Sequence, residues 1–524
     1  MSTLSVQERM ELNTAKDNIL HSGRLGSFSE EASRYTSSID IDGRLLPAVI
    51  KINTAHIVML AEQGVLDLEI AKEILTALSQ VPTNLEMRDD LEDVHMNVEN
   101  FTISKIGVEA GGMMNLGKSR NDQVATALRM VSRDQLITIG NAIVSLEKAL
   151  LDQAAKHSKD VSPGYTHLQR GQPITLGHYL LAHFGSLDRN FSRLVDCYLR
   201  TDLSPMGAGA LASSSININR ERTAELLGFP SVLENSLDAV SSRDFATEMI
   251  YLCAQVMTDL SRLAEELILW TTQEFSFAEI SDEFSSTSSM MPQKKNAIVP
   301  EIFRARTSQI IADIVGAMGI VKALPLSYNL DLQELTRNLW SATDKATSSI
   351  AILALLVRHI KFNDRKIGEA VASDEFLFAT ELADHLVEKF RVPFREAHSR
   401  VGKLVKYSVQ KGLTRTQFTG IDLNKVNEIL GVTLSSHELA SLVDPAAVLS
   451  KRKATGSPNP KMVLKACKTG EKSVAKHEAT LNSFRAAIES SDELLKAAAE
   501  KIQGRNRDAD VLKRKLQSRM EVKK

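Results

Sequence analysis

Three long intervals without proline most constrain how this chain can fold. Residues 83–162, 231–291 and 326–392 contain no proline. In the second interval, apolar residues recur at steps of three and four: Phe245, Met249, Leu252, Val256, Leu260, Leu263, Leu267 and Trp270. Because this spacing places them on one helix face, we predict long helices whose apolar faces pack together as a bundle. No run of alternating strands stands out and only 5% of residues are aromatic, so we predict an all-α fold.

Length, charge and cysteine content exclude several classes of protein. A chain of 524 residues is long enough for two or more domains. A net charge of −2 gives no support for nucleic-acid binding. Its three cysteines lack metal-ligand spacing and suit a reducing cytosol. The first residues lack the apolar stretch of a signal peptide, and the longest apolar run, 350–357, is too short to span a membrane. We therefore expect a cytoplasmic protein without a metal.

Proline, glycine and charge patterns divide the chain into four segments. We predict an N-terminal, mostly helical domain over 1–115, with helices near 44–62 and 68–79 and Asp67 as an N-cap. The other segments are a central long-helix bundle over 116–370, a C-terminal helical domain over 371–468 and a charged helical extension over 469–524.

The segment Ser285–Glu301, SSTSSMMPQKKNAIVPE, carries five hydroxyl side chains, two lysines and an asparagine. Its serines compete for backbone hydrogen bonds and Pro292 has no N–H, so it cannot lie inside a helix. It is also too polar for a buried strand. We interpret it as a loop that offers hydroxyls and cations to an anionic ligand. The alternative is a solvated linker with helix-capping serines.

Three further motifs carry polar residues near predicted helix ends. Gly117–Gln123 places a guanidinium and amides near a helix N-terminus, which suits carboxylates, or is an N-cap with surface charge. Gly164–Gln169 places a histidine in a loop between two helices, as a general acid or base or as an ordinary polar residue. Leu324–Glu334 places Tyr, Asn and Gln after a helix end, or is an ordinary connection.

Together these motifs resemble one family. Within Ser285–Glu301, six residues match the signature GSSxMPxKxN of the fumarase/aspartase superfamily: Ser288, Ser289, Met291, Pro292, Lys294 and Asn296. The segments MPQKKN, GKSRNDQVAT, GYTHLQRGQPIT, PMGAGALA, EDVH and VPFREAH resemble those of argininosuccinate lyases. The resemblance covers about 20–465 in the family's order, so the chain is identified as a member of this family.

The resemblance implies a fold, a reaction and an assembly. The fold would be three mostly helical domains, with the central helices of four subunits forming a twenty-helix core and each active site built from three subunits. The reaction would be the anti β-elimination that splits argininosuccinate into L-arginine and fumarate, the last step of arginine biosynthesis. It implies a homotetramer that needs no cofactor or metal and binds neither nucleic acid nor membrane.

The resemblance also implies roles for individual residues. Ser288 would act at the substrate's Cβ and His167 at the leaving nitrogen, with Glu301 orienting His167; which of the first two is base and which acid stays open. The substrate-binding residues would be Ser38, Arg120, Asn121, Thr166, Lys294, Asn296, Tyr328 and Gln333. Of these, Lys294 and Asn296 would bind carboxylates.

The chain departs from the family pattern at four positions. Thr287 replaces a glycine, Ala297 a proline and Lys118 an arginine. Thr336 stands where a substrate-binding lysine is often found, and the neighbouring Arg337 is a candidate to replace that lysine.

Other functions are compatible with parts of the sequence. A sister lyase would act on fumarate, aspartate or adenylosuccinate. A structural protein on the same scaffold would need no active site, although Ser288, His167, Lys294 and Glu301 are all present. An interaction protein would use the charged extension.

Overall fold

The computed structural model describes residues 29–88, 90–413 and 418–505. The glycine-containing segment 21–26, predicted as a loop, and the last part of the predicted extension lie outside these residues. Most of the described chain is helical, which confirms the all-α prediction.

The N-terminal part is a small set of helices packed on the bundle. These are α1 (Glu30–Thr36), α2 (Ile39–Asp42), α3 (Leu46–Glu62), α4 (Leu68–Leu78) and α5 (Val94–Gly111). Asp67 caps α4 by accepting a hydrogen bond from the Glu69 N–H at 2.8 Å. Both predicted helices and the predicted cap are therefore confirmed.

The middle of the chain contains five long helices that share one core. In chain order, and with two short helices (α8 and α9) between the second and third long ones, they are α6 (Arg120–Lys156), α7 (Leu176–Thr201), α8 (Arg220–Leu226), α9 (Ser236–Ser241), α10 (Asp244–Trp270), α11 (Ile298–Val321) and α12 (Asp331–His359). The apolar residues predicted to lie on one face of α10 are all buried in the core. The bundle inferred from the proline-free intervals is confirmed.

Three short antiparallel strand pairs connect or flank the long helices. Their strands are β1 (Val161–Thr166), β2 (Gln169–Thr175), β3 (Ala278–Glu279), β4 (Ser286–Thr287), β5 (Lys295–Asn296) and β6 (Lys361–Phe362). They pair as β1–β2, β3–β6 and β4–β5. Four of the strands have only two residues, too few for a recognisable alternating pattern, so the sequence does not reveal them.

Six C-terminal helices follow in the described part of the chain, and the middle four of them enclose a second core. They are α13 (Asp364–Ala372), α14 (Ala379–Phe390), α15 (Phe394–Gln410), α16 (Leu423–Leu430), α17 (Ser436–Leu442) and α18 (Pro445–Lys451). Buried residues of this core include Leu382, Leu386, Leu404, Phe418, Val426 and Leu430. This core spans residues 376–443, which is part of the domain predicted over 371–468, and the division itself stays a prediction.

The last helix, α19 (Pro460–Ile502), returns to the bundle and crosses the proposed boundary at 468. It approaches α6 closely because glycines lie at the contact: a Cβ on Gly140 would stand 2.6 Å from Leu481 Cδ2. Phe484 stacks on Tyr198 of α7, with ring centroids 3.8 Å apart. The described part of the predicted extension is therefore an integral part of the main core.

One stretch, 31–62, is long and apolar enough to cross a membrane by length and composition alone. In the structure, 72% of its apolar window is buried. Such burial is expected of a core helix, so this stretch gives only weak evidence for a membrane span.

Candidate active site

Ser288 begins the loop of the hairpin β4–β5, which we call the serine hairpin. Ser286 pairs with Asn296 and Thr287 with Lys295, so the segment predicted to be a loop throughout has a strand pair at its base. The Ser288 hydroxyl oxygen accepts hydrogen bonds from the Met290 N–H at 3.2 Å and the Met291 N–H at 3.0 Å. Two backbone donors directed at one oxygen can stabilise negative charge on it.

The two adjacent lysines of the serine hairpin have different environments. Lys295 Nζ lies 2.7 Å from Asp282 Oδ1 and 3.2 Å from Glu279 Oε1. Lys294 is exposed, and within the described ranges its ammonium forms neither an ion pair nor a hydrogen bond. Asn296 is half-buried and its Nδ2 lies 3.5 Å from Ser286 Oγ. The charge of Lys294 is therefore available to an anion, whereas that of Lys295 is balanced.

His167 lies at the turn of the hairpin β1–β2, which we call the histidine hairpin. Thr166 pairs with Gln169, so His167 and Leu168 form a two-residue turn with φ values of 54° and 57°. Such a turn normally uses Asn-Gly, because side chains are unfavourable at positive φ. The hairpin joins α6 to α7, so the predicted loop between two helices is here an ordered turn. Thr166 and His167 are exposed and Leu168 is 77% exposed.

Glu301 lies in the first turn of α11, where its negative charge suits the helix N-terminus. Its side chain is exposed. No hydrogen bond or ion pair joins Glu301 to His167 in the described part of this chain. The single chain therefore does not bring the three predicted catalytic residues into contact.

Four of the predicted substrate-binding residues lie near one another, and we call Ser38, Asn121, Tyr328 and Gln333 the inner group. Gln333 Nε2 donates to the Thr36 carbonyl at 2.8 Å. Two residues later, the Ser38 hydroxyl donates to Asp42 Oδ2 at 2.7 Å. Burial raises the pKa of Asp42 to about 6, although the bond from Ser38 opposes this rise.

Asn121 joins the inner group through a shared backbone acceptor. Its Nδ2 donates to the Ala210 carbonyl at 3.0 Å, and the hydroxyl of Ser327 lies 3.4 Å from the same oxygen. Ser327 has a φ of 76° and directly precedes Tyr328, which is half-buried. One carbonyl thus holds the start of α6 beside the loop that precedes α12.

Arg120 is already paired within the chain. Its guanidinium lies 3.1 Å from Asp93 Oδ1 and 3.9 Å from Glu99 Oε2. The neighbouring Asp122 completes a capping box with Ser119. Its Oδ2 also accepts from the N–H groups of Gly207 at 3.1 Å and Gly209 at 2.8 Å, which explains the motif PMGAGALA.

Lys118, at a position that departs from the family pattern, donates to Asn53 Oδ1. Burial lowers the pKa of Lys118 to about 7, although the charges of Asp122 and Glu99 oppose this shift. Lys118 is therefore a poorly solvated ammonium close to Asp122 and Glu99.

Neither Thr336 nor Arg337 supplies the unpaired cation that a lysine at position 336 would provide. Thr336 is buried in α12. Arg337 is held by both carboxylate oxygens of Asp40, at 2.5 and 3.0 Å. The cation that was a candidate to replace the lysine already has a partner.

The sequence analysis missed Arg243, the N-cap residue of α10. It is 3% exposed, and its Nε and Nη2 have no hydrogen-bond partner. Its position before a long apolar helix was the only signal, and at such a position an arginine is usually solvated. The lack of partners for Nε and Nη2 becomes apparent only in the folded structure.

Comparisons with known proteins agree with these features. A family model described as Lyase matches residues 28–312, and one described as Argininosuccinate lyase C-terminal matches 376–450. The argininosuccinate lyase of Methanothermobacter thermautotrophicus is 43% identical over 452 residues, which are 85% of this chain and 96% of that protein. That of Methanocaldococcus jannaschii is 39% identical over 483 residues, 91% of this chain and 99% of that protein.

Solved structures show the same fold. EDDS lyase in complex with formate superposes with a TM-score of 0.80 at 30% identity, covering 91% of this chain and 96% of that one. A class II fumarase from Schistosoma mansoni has a TM-score of 0.67 at 16% identity, covering 80% and 94%, and shows the fold alone. With the family models and curated relatives, these matches show that the chain belongs to the argininosuccinate lyase family of the fumarase/aspartase superfamily.

Proposed function

We propose that the protein cleaves argininosuccinate into L-arginine and fumarate by anti β-elimination, as the last step of arginine biosynthesis. The observation that carries this proposal is the serine hairpin, where a hydroxyl held by two backbone N–H groups lies in the same loop as an unpaired lysine. Identity of 43% to an argininosuccinate lyase, against 30% to EDDS lyase, supports argininosuccinate as the substrate.

The difficult step is removal of a weakly acidic proton from the Cβ next to a carboxylate. In our proposal, Ser288 is the base, because the N–H groups of Met290 and Met291 stabilise its alkoxide. The carbanion becomes an aci-carboxylate with two negative charges. Lys294 and Asn296 then bind the succinyl carboxylates, so positive charge and donors face the developing charge.

The second step is departure of the guanidino nitrogen. His167 protonates it as the Cβ–proton electron pair forms the double bond of fumarate. Thr166, next to it at the exposed turn, contacts the substrate, and Glu301 orients His167 from another subunit. The inner group and Arg120 bind the arginine portion.

The chemistry requires more than one chain, and we propose a homotetramer with sites shared between subunits. On α11, several large apolar side chains are exposed: Ile302 at 55%, Ile311 at 44%, Val315 at 68% and Met318 at 55%. A row of such residues along a long helix is what a helix–helix interface between subunits would cover. Four packed bundles would give the twenty-helix core and place one chain's hairpin beside another's.

We further propose that the enzyme is a cytoplasmic protein that works without a cofactor or metal and without nucleic-acid or membrane partners. Three free, buried cysteines are consistent with a reducing compartment. The proposed chemistry uses only side chains and backbone donors. We also retain the four-segment domain division as a proposal.

An absorbance assay for fumarate tests the proposed function. Purified protein is offered argininosuccinate, adenylosuccinate, aspartate or EDDS at equal concentrations. We expect fumarate from argininosuccinate at a rate far above that from the other three. A higher rate with any of the others would assign the chain to a sister activity, and no fumarate from any substrate would favour a structural role for the scaffold.

A further inference from the structure

Arg243 is a buried guanidinium on which Asp244 and Tyr328 act electrostatically without a direct contact. Its Nη1 donates to the carbonyls of Ser242 at 2.9 Å and Val240 at 3.3 Å. Among the described residues, no carboxylate forms an ion pair with it. A buried charge normally has an ionic partner, because removing it from water is costly. Nε and Nη2 of this guanidinium therefore lack an acceptor within the described chain.

The geometry of the guanidinium defines which anion fits. The carbonyl bonds hold the Nη1 end, so the free donors are Nε and Nη2 on one edge. Those two N–H groups point in parallel and match the two oxygens of a carboxylate. The structure therefore presents a pre-oriented fork rather than a mobile surface charge.

Hydrogen bonds link the segment before Arg243 to the segments that carry the inner group. The short helix α9 ends just before Arg243, and the hydroxyl of Ser236 at its start donates to the Leu211 carbonyl at 2.8 Å. The preceding carbonyl, that of Ala210, holds Asn121 and Ser327. One stretch of backbone thus connects Arg243 with two elements that carry the predicted substrate ligands.

Charges of opposite sign lie around Tyr328. Burial raises the pKa of the Tyr328 hydroxyl and the charge of Arg243 opposes that rise, whereas Asp93, Glu92 and Asp42 add to it. An amino acid carries a carboxylate and an ammonium on one carbon, and a site that recognises it needs both signs close together. Tyr328 is placed where the two signs meet.

A second buried arginine, Arg129, adds positive charge next to Arg243. Arg129 Nη2 donates to the Ser242 hydroxyl at 2.9 Å, its Nη1 binds backbone carbonyls and its guanidinium lies 4.3 Å from the centre of the Phe245 ring. It too has no ion pair within the described ranges. Two buried guanidinium groups without ion pairs lie on either side of Ser242, and together they favour an anion bound next to them.

We propose that Arg243 binds the α-carboxylate of the arginine portion of the substrate through its Nε and Nη2. This inference rests on the proposed function and names the residue that recognises the amino-acid end. It also accounts for Thr336 and Arg337: the first is buried without charge and the second is held by Asp40. Arg243 then supplies the cation that neither of them provides.

Calorimetric titration of the intact enzyme with L-arginine, agmatine and fumarate tests the proposal, because agmatine is arginine without its carboxylate. Wild type should bind L-arginine more tightly than agmatine. In Arg243→Gln, L-arginine affinity should fall at least about tenfold, the usual effect of losing a charged hydrogen-bonded partner. Agmatine and fumarate affinities should stay unchanged. Arg337→Gln is the matched control and should preserve the preference for L-arginine.

Arg243→Lys decides the question if the glutamine variant fails to fold, as judged by thermal melting. It keeps the charge but loses the fork, so its preference for L-arginine over agmatine should shrink while fumarate binding persists. The proposal is wrong if the folded variants keep the wild-type preference, or if Arg337→Gln abolishes it. In either case wild type would still release fumarate from argininosuccinate, so the proposed function would stand. A wild type that neither releases fumarate nor binds L-arginine would overturn both.

Discussion

Ser38, Asn121 and Gln333 of the inner group form hydrogen bonds to other parts of the same chain, whereas the residues at the tips of the serine and histidine hairpins are mostly exposed. Gln333 and Ser38 each have a fixed partner, Thr36 or Asp42. His167, Lys294 and Glu301 each lie exposed in the single chain. This difference supports the proposal that the arginine-binding side is preformed and that the side performing the elimination is completed by assembly.

This difference offers an explanation for the backbone strain of the turn at His167 and Leu168. Two residues with side chains at positive φ cost free energy, on the order of 1 kcal/mol each. Such a turn persists where the surrounding structure enforces it. In the proposed tetramer, the neighbouring subunits provide that enforcement and fix the imidazole relative to the serine hairpin.

The largest expected effect is loss of turnover in Ser288→Ala. We expect kcat to fall by several orders of magnitude, because the alanine has no oxygen for the Met290 and Met291 N–H groups to stabilise as an alkoxide. L-arginine affinity should not change, since the inner group is separate. The fumarate assay and calorimetry measure both quantities.

Gln293→Ala is the control for Ser288→Ala, because it removes an exposed side chain of the same loop. Its turnover should stay close to wild type. If Ser288→Ala keeps more than about a tenth of wild-type turnover, the barrier has changed by only ~1.4 kcal/mol and another group is the base.

The next effect is recovery of activity on mixing two inactive variants. Ser288→Ala and His167→Asn are denatured and refolded together in equal amounts. If the two residues in one site come from different chains, random assembly leaves about a quarter of sites with both intact, because each contributing chain is correct half the time. Hybrid tetramers, verified by mass, that remain inactive would show that one chain supplies both hairpins.

The sequence predicted the long helices well because their signal is local. Apolar residues at steps of three and four and the absence of proline are sufficient, whatever the rest of the chain does. The packing of α19 was not predictable, since it depends on Gly140 meeting Leu481 across more than half the chain. The long helices follow from local helix geometry, whereas the packing of α19 follows from a tertiary contact.

The candidate site was predictable as a set of residues but not as an arrangement. Motif resemblance located Ser288 and His167, yet two-residue strands and a His-Leu turn carry none of the usual hairpin signals. The different environments of Lys294 and Lys295 were also hidden, because they depend on where Glu279 and Asp282 lie. Arg243 was missed since a lack of partners cannot be read from a sequence.

A smaller effect distinguishes the two adjacent lysines. Lys294→Met should weaken fumarate binding by about ten- to a hundredfold, the usual range for losing a charged hydrogen bond. Lys295→Met is the matched control and should have a much smaller effect, because that ammonium is already balanced by two carboxylates. Calorimetric titration with fumarate measures the succinyl side of the proposed site, and titration with L-arginine measures the arginine side. Equal losses in both variants, or weaker L-arginine binding in Lys294→Met, would contradict the assignment.

The smallest expected effect is a pH dependence of stability that arises from the titration of Lys118. Burial lowers the pKa of Lys118 in the folded chain to about 7, below the 10.5 of an unperturbed lysine. Between these values the unfolded chain binds more protons than the folded one. Raising the pH in this window therefore increases the free energy of unfolding, and lowering it toward 7 removes that contribution.

In Lys118→Met this titration is absent, so the stability advantage of wild type over the variant should grow as the pH rises from about 7 to about 10. The slope for one group cannot exceed about 1.4 kcal/mol per pH unit. Urea unfolding at several pH values measures it. Lys148→Met is the control, because Lys148 is exposed and its ammonium lies 2.6 Å from Glu478. Wild-type and Lys118→Met curves that stay parallel across this window would show that Lys118 remains well solvated.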